Sequence, residues 1–363
     1  MNQKQLLETI AAMKMQILEL LLNANLANDK QAQRTFKTIE NMFKRLDLDV
    51  EDVIPVEVLQ NYFNGVDEAT KALSKVGVDP VNGLSSAITS SGQVASAFDT
   101  HVHMEAIAAI TDDLMLDFKS AIRTARQNTY FTLKTTLAEV KEDLQKGIIQ
   151  GNSRRVITQR VAESFAKDGM KAFKTIDNKW LPLDFYSQTI TRTNLKMTHT
   201  QGAGERYREN GMDLYTVTGN TPTCHQCAPL RGIVFTLNPN RSDYTYMSPK
   251  DIIRHPNCQC SMSVWVEEYK TESEIRSARE KSKAFNPDKD TRTASQKQQY
   301  EHQQNLHRQN NDSKKQFARY KAVLGNDAPK TLGGFKRSKK SGSENFKEMQ
   351  QKYRAKVKEI RSS

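Results

Sequence analysis

Long apolar runs are missing from this sequence. The first candidate, Ile17-Leu18-Glu19-Leu20-Leu21-Leu22, is short, broken by a carboxylate and followed by no cleavage site. A membrane span needs about 20 apolar residues and a signal peptide an uninterrupted apolar stretch. The run therefore reads as one helix face, no membrane association is expected, and the protein is expected to be made in a cytoplasm. Core-forming residues are also scarce: 37% hydrophobic and 7% aromatic, with a mean hydropathy of −0.70 over 363 residues. The length exceeds one typical core, so two or three domains are expected. The low apolar content predicts long solvated helices or a partly unfolded region. Catalytic signatures are absent as well, with no Gly-rich phosphate loop, Ser-His-Asp set or nucleophile elbow.

Charge is plentiful and unevenly placed. The net charge is +12, yet residues 1–120 hold 10 Lys/Arg against 17 Asp/Glu, a net −7, and residues 121–363 hold 44 against 25, a net +19. An acidic front and a basic back suggest different partners for the two ends, and nucleic acid is the obvious polyanion for the basic one. The alternative is that Lys and Glu only solubilise long helices.

Hydrophobic spacing divides the chain. Leu6, Leu7, Ile10, Met13, Ile17, Leu20 and Leu21, then Phe36, Ile39, Met42, Phe43 and Leu46, recur every three or four residues and predict an N-terminal helical region over 1–76. Pro55 fits the first turn of a further helix bearing Val58, Leu59, Tyr62 and Phe63. Residues 77–102, rich in Gly, Ser, Ala and Asn, read as a linker. A helical bundle is expected over 103–211, with Gly147 and Gly151 ending one helix, Ser153 capping the next, and a long helix from about Leu183 to Glu209. His101 and His103 read as exposed histidines at a helix start. Residues 212–266 switch to short β-rich runs at 214–218, 233–237 and 262–266. The tail, 267–363, holds 24 basic against 13 acidic residues. In it a Gln- and Lys-rich helix (293–324) leads through a turn to Phe346, Met349, Tyr353, Val357 and Ile360, a narrow stripe of the kind that docks on another helix. The stripe is too thin for a domain core, so the tail is expected to be partly disordered or ordered by a partner. Lys336, Arg337, Lys339 and Lys340 form a basic patch, a candidate DNA contact whose commoner fate is a solvated linker.

All four cysteines fall within 37 residues: Cys224-His225-Gln226-Cys227, then His255-Pro256-Asn257-Cys258-Gln259-Cys260. A C-x-x-C turn brings two thiolates to one side of the chain at the separation a tetrahedral ion needs. Cys258 and Cys260 point the same way in a short extended piece. The first choice of ligands is Cys224, Cys227, Cys258 and Cys260, with His255 either replacing a cysteine or holding one by a hydrogen bond. His225, between two ligands, is expected to point away. A filled cysteine-rich tetrahedron leaves no open position, so the expected zinc is structural. Disulfides and unliganded core thiols are the alternatives. Pro229-Leu230-Arg231-Gly232, a turn where thioredoxin-like chemistry needs a helix, argues against that role.

Thr191-Arg192-Thr193-Asn194 on a helix, then Gly211, Cys224-x-x-Cys227-x-x-Leu230-x-Gly232 and His255-Pro256-Asn257-Cys258-x-Cys260 resemble the Mu F-like head-morphogenesis domain of minor head proteins of tailed phages. The similarity covers about 130–266, including the 147–153 link. Asn194 departs from it, since the family often has Glu there, so no carboxylate role carries over. The resemblance implies a minor capsid component inside the phage head near the portal, acting in head morphogenesis or DNA delivery, with the portal, other head proteins and packaged double-stranded DNA as partners. The expected fold is mainly α with a small zinc-stapled β-rich module (α+β), elongated and multi-segment, and the expected role is non-enzymatic. The alternative is a zinc-dependent nucleic-acid-binding or nuclease module. Against it, the knuckle carries one histidine and no adjacent His-His or Asp-His.

Overall fold

The computed structural model describes residues 1–146 and 153–362. The turn expected at Gly147 and Gly151 lies outside the described residues, as do the side chains of Ser153 and Ile360. Helices take 67% of the residues and strands 7%, so the fold is mainly α with a small β module.

Five helices build the larger core: α1 (Gln3–Asn23), α2 (Asp29–Lys75), α3 (His101–Gln145), α4 (Ser153–Asp168) and α5 (Leu183–Glu209). α1 starts at a capping box, in which Asn2 accepts from the Gln5 amide at 3.0 Å and Gln5 accepts from the Asn2 amide at 2.9 Å. Leu6, Ile10, Met13, Ile17 and Leu21 then bury one face. Pro55 does not open a helix; it sits inside α2. A proline there costs about 3 kcal/mol. Val50, Val53, Ile54 and Val58 keep the buried face in register across it, and each contributes about 1.5–3 kcal/mol by burial. Packing wins, and the helix continues.

α2 and α5 meet backbone to backbone. A Cβ on Gly65 of α2 would fall 2.0 Å from the His199 carbonyl oxygen of α5, and one on Gly202 would fall 2.2 Å from that of Tyr62. No other residue type fits at either position without moving a helix.

Residues 77–100 form a loop tied back onto these helices. Ser86 and the Ala87 amide donate to Asp67, the Val81 amide donates to Asn210 at 2.7 Å, and Phe98 is buried. The loop closes over a buried polar network. His103, expected to be exposed, is fully buried: its Nδ1 lies 2.9 Å from the Tyr62 hydroxyl and its Nε2 2.9 Å from a Glu209 oxygen. The fully buried Arg206 donates to Thr70 at 2.8 Å, to Glu209 at 3.1 Å and to the Val81 carbonyl, and its guanidinium lies over the Phe98 ring. His101 is exposed and faces Glu105. Spacing alone could not separate the two histidines; the returning loop does.

A hairpin not expected from the sequence, β1 (Lys171–Lys174) and β2 (Trp180–Pro182), precedes α5. Its strands are only four and three residues long, and Asn178 at φ 62° was its one local signal. The second sheet has the order β5-β4-β3-β6. β3 (Leu214–Thr218), β4 (Val234–Thr236) and β6 (Ser261–Val264) fall in the three expected runs, and β5 (Thr245–Tyr246) adds a short parallel edge. β3 pairs antiparallel with both β4 and β6.

The tail comprises α6 (Glu272–Lys283), α7 (Ala294–Leu324), α8 (Leu332–Ser341) and α9 (Glu344–Ser362). Contrary to the expectation of partial disorder or a partner's help, the α9 stripe packs within the chain. Phe346 and Met349 join Phe317, Tyr320, Val323, Leu324 and Phe335 in a separate core, and Tyr353 stacks on Tyr320 at 4.2 Å. A stripe two residues wide suffices because α7 and α8 supply the remaining walls.

Gly202→Ala is expected to lower the unfolding midpoint by the equivalent of about 1–3 kcal/mol, because the new methyl meets backbone. Gly333→Ala, in the exposed first turn of α8 with open space around it, is expected to leave stability unchanged or raise it by up to about 1 kcal/mol. Denaturant unfolding of both variants checks the pair, and equal effects would contradict the close crossing.

Candidate metal centre

The end of β3 and the start of β6 are neighbours in the sheet, with Thr218 opposite Ser261. Cys224 and Cys227 lie in the loop leaving β3, and Cys258 and Cys260 lie just before β6, so strand pairing brings the two halves together. Each half is shaped locally. The Cys227 amide donates to Cys224 Sγ at 3.3 Å and the Ala228 amide to the Cys224 carbonyl at 3.0 Å, which turns the first pair into a knuckle. In the second half the Cys258 amide donates to the His255 carbonyl at 3.1 Å, and Asn257 takes φ 62°. The Asn257 amide donates to Thr193 Oγ1 of α5 at 3.0 Å. The second knuckle is therefore hung on a helix.

The four cysteines are free and buried. Their sulfurs and the His255 ring face one another in two overlapping groups, Cys224–Cys227–His255 and Cys227–Cys258–Cys260, with donor atoms within 4.8 Å in each. His255 Nε2 lies 3.0 Å from Cys224 Sγ and 3.3 Å from Cys227 Sγ, and Cys227 Sγ lies 3.4 Å from Cys258 Sγ. Zinc bonds of about 2.3 Å to sulfur and about 2.0 Å to nitrogen place tetrahedral donors roughly 3.5–3.8 Å apart, so these contacts lie within about half an ångström of what such an ion requires. The donor set and spacing fit a zinc-type centre. His225 is exposed and turned away, as expected.

The electrostatics favour anionic sulfur at Cys224 and Cys258. The Cys227 contact, with help from His255, holds Cys224 down to about 4. Cys227 likewise lowers Cys258, and is itself raised by sharing its proton with Cys224. The Cys224 and Cys258 sulfurs push His255 up to about 10. Thiolate is the form that ligates metal, and an ion bound here would release the protons the cluster holds.

A family model described as phage minor capsid protein 2 matches residues 87–362. The chain belongs to that family. The minor capsid assignment implied by the two knuckles therefore holds. The match extends past the expected 130–266, beginning in the loop over the buried network and running through α9. This minor capsid protein is a structural protein of the phage head, and the virion is its place. No curated protein and no solved structure matches it. Among the described residues no helix is long and apolar enough to cross a membrane.

The structure sets Lys336, Arg337, Lys339 and Lys340 on α8, in the tail core and apart from the cysteines. Lys336 donates to Asn310 and Lys339 to Ser313, each at 3.3 Å, whereas Arg337 and Lys340 are exposed. Two residues of the centre were not singled out in the sequence. Thr193 carried no signal beyond the Arg-Thr run on α5. Arg231, which donates to Cys260 Sγ at 3.6 Å, stood only in the turn after the first knuckle.

Thr193→Val removes the acceptor of the Asn257 amide and is expected to cost about 1–2 kcal/mol, read as a lower midpoint in thermal or denaturant unfolding. Wild-type stability in this variant would show that the knuckle does not depend on α5.

Proposed function

We propose that this minor capsid protein depends on one zinc ion, held by four donors among Cys224, Cys227, His255, Cys258 and Cys260, to keep its β module folded in the head. The observation carrying this reading is the convergence of five soft or borderline donors at the β3–β6 junction. Thiolate and imidazole select zinc over hard cations such as magnesium or calcium. Four protein donors would leave no position for water or substrate, so the ion's contribution is folding energy. Strands of two to five residues bury too little to hold a sheet unaided. The role is architectural and non-enzymatic.

The placement proposed is the capsid interior near the portal, acting in head morphogenesis or DNA delivery. The acidic N-terminal helices would meet other head proteins, and the basic C-terminal half would meet packaged DNA. The −7/+19 division of charge supports this reading, as does the exposure of Arg337 and Lys340 on α8.

Elemental analysis of protein purified in reducing buffer is expected to give one zinc per chain, and a strong chelator is expected to lower the melting temperature. Zinc-free protein with the same melting curve would end the metal reading. For the nucleic-acid half, affinity for double-stranded DNA is expected to fall linearly in log salt. Replacing both Arg337 and Lys340 by Ala should reduce that slope by about 2. A flat salt dependence in the wild type would remove DNA from the list of partners.

A further inference from the structure

We infer that the ion is bound by three sulfurs and one imidazole, Cys224, Cys227, Cys258 and His255, and that Cys260 stands outside the coordination sphere, its sulfur paired with Arg231. This rests on the metal reading above and adds which four of the five donors take part.

The argument begins with His255. Its Nδ1 lies 2.8 Å from the Pro256 carbonyl, which can only accept, so the ring proton resides on Nδ1. Nε2 is aimed between the Cys224 and Cys227 sulfurs, at 3.0 and 3.3 Å, where its lone pair would meet an ion once its own proton is released. A carbonyl holding the far nitrogen is the usual arrangement of a metal-bound imidazole.

Once Nε2 and Cys227 Sγ are both ligands, the remaining two must contact this pair. Cys224 does, through its contacts with the imidazole and with Cys227. Cys258 does, at 3.4 Å from Cys227 Sγ. Cys260 falls in the group of Cys227 and Cys258 but is turned towards another partner.

Cys260 has a partner of its own. Arg231 Nη2 donates to its sulfur at 3.6 Å. The guanidinium reaches it across Gly219, where a Cβ would fall 2.3 Å from Nη2 and where φ is 155°. A cation held in place by a glycine of the loop leaving β3 suits a sulfur that keeps its charge or proton without a metal bond. It also ties the start of β6 to the turn after the first knuckle.

X-ray absorption on the wild-type, zinc-loaded full-length chain reads the set without any substitution. The expected first shell is three sulfurs at about 2.3 Å and one nitrogen at about 2.0 Å; four sulfurs would overturn the inference. Zinc stoichiometry of single variants gives a second readout. Cys260→Ala is expected to keep one zinc per chain, while His255→Ala is expected to lose most of it. Loss in the first or full retention in the second would overturn the assignment. A wild-type chain without zinc is a different result, the failure of the metal reading itself, and takes this inference with it.

Discussion

The crossing of α2 and α5 at Gly65 and Gly202 is the constraint on which most of the molecule depends. With carbonyl oxygens about 2 Å from where a Cβ would stand, the two backbones touch, and α5 is held without freedom to slide. Everything α5 carries is thereby placed. Thr193 meets the second knuckle, Gly204 lets Pro249 approach, Ala203 and Tyr207 enter the core of the cysteine module, and Arg206 enters the buried network. One helix contact thus sets the relation between the helical core and the β module.

The buried network is the polar counterpart of that contact. A fully buried guanidinium is tolerated only when charge and hydrogen bonds are supplied on several sides. Arg206 receives them from Thr70, Glu209 and Val81, with the Phe98 ring beneath it. Glu209 is also approached by His103, so burial, which would raise its carboxyl, is outweighed and the group stays below the usual range. Because these partners come from α2, the 77–100 loop, α3 and α5, the network fastens the loop where a free linker was expected.

Much of the site was legible in the chain. Two cysteine pairs flanked by β-rich runs, with a histidine three residues before Cys258, indicate a metal knuckle by residue type and spacing. What they cannot indicate is which donors point inward, because that depends on the pairing of β3 with β6 and on the Asn257–Thr193 bond. Arg231 was invisible for the same reason, since nothing in a turn sequence tells that its guanidinium crosses a glycine to reach a sulfur. Gly65, Gly202 and Gly204 did stand inside helical patterns, where an isolated glycine often marks a close approach. The signal was present but has no direction until a partner helix is known.

Periodicity determined the helices, including α5 and α7 almost to their ends, because a buried face repeating every 3.6 residues is written locally. The run of cysteines likewise marked the compact β-rich module and the donors that meet in it. The tertiary structure decided the rest. It carried α2 through Pro55, buried His103 rather than His101, and folded the α9 stripe onto α7 and α8. In each case the deciding energy is burial against a surface distant in sequence, and local propensity carries no record of that surface.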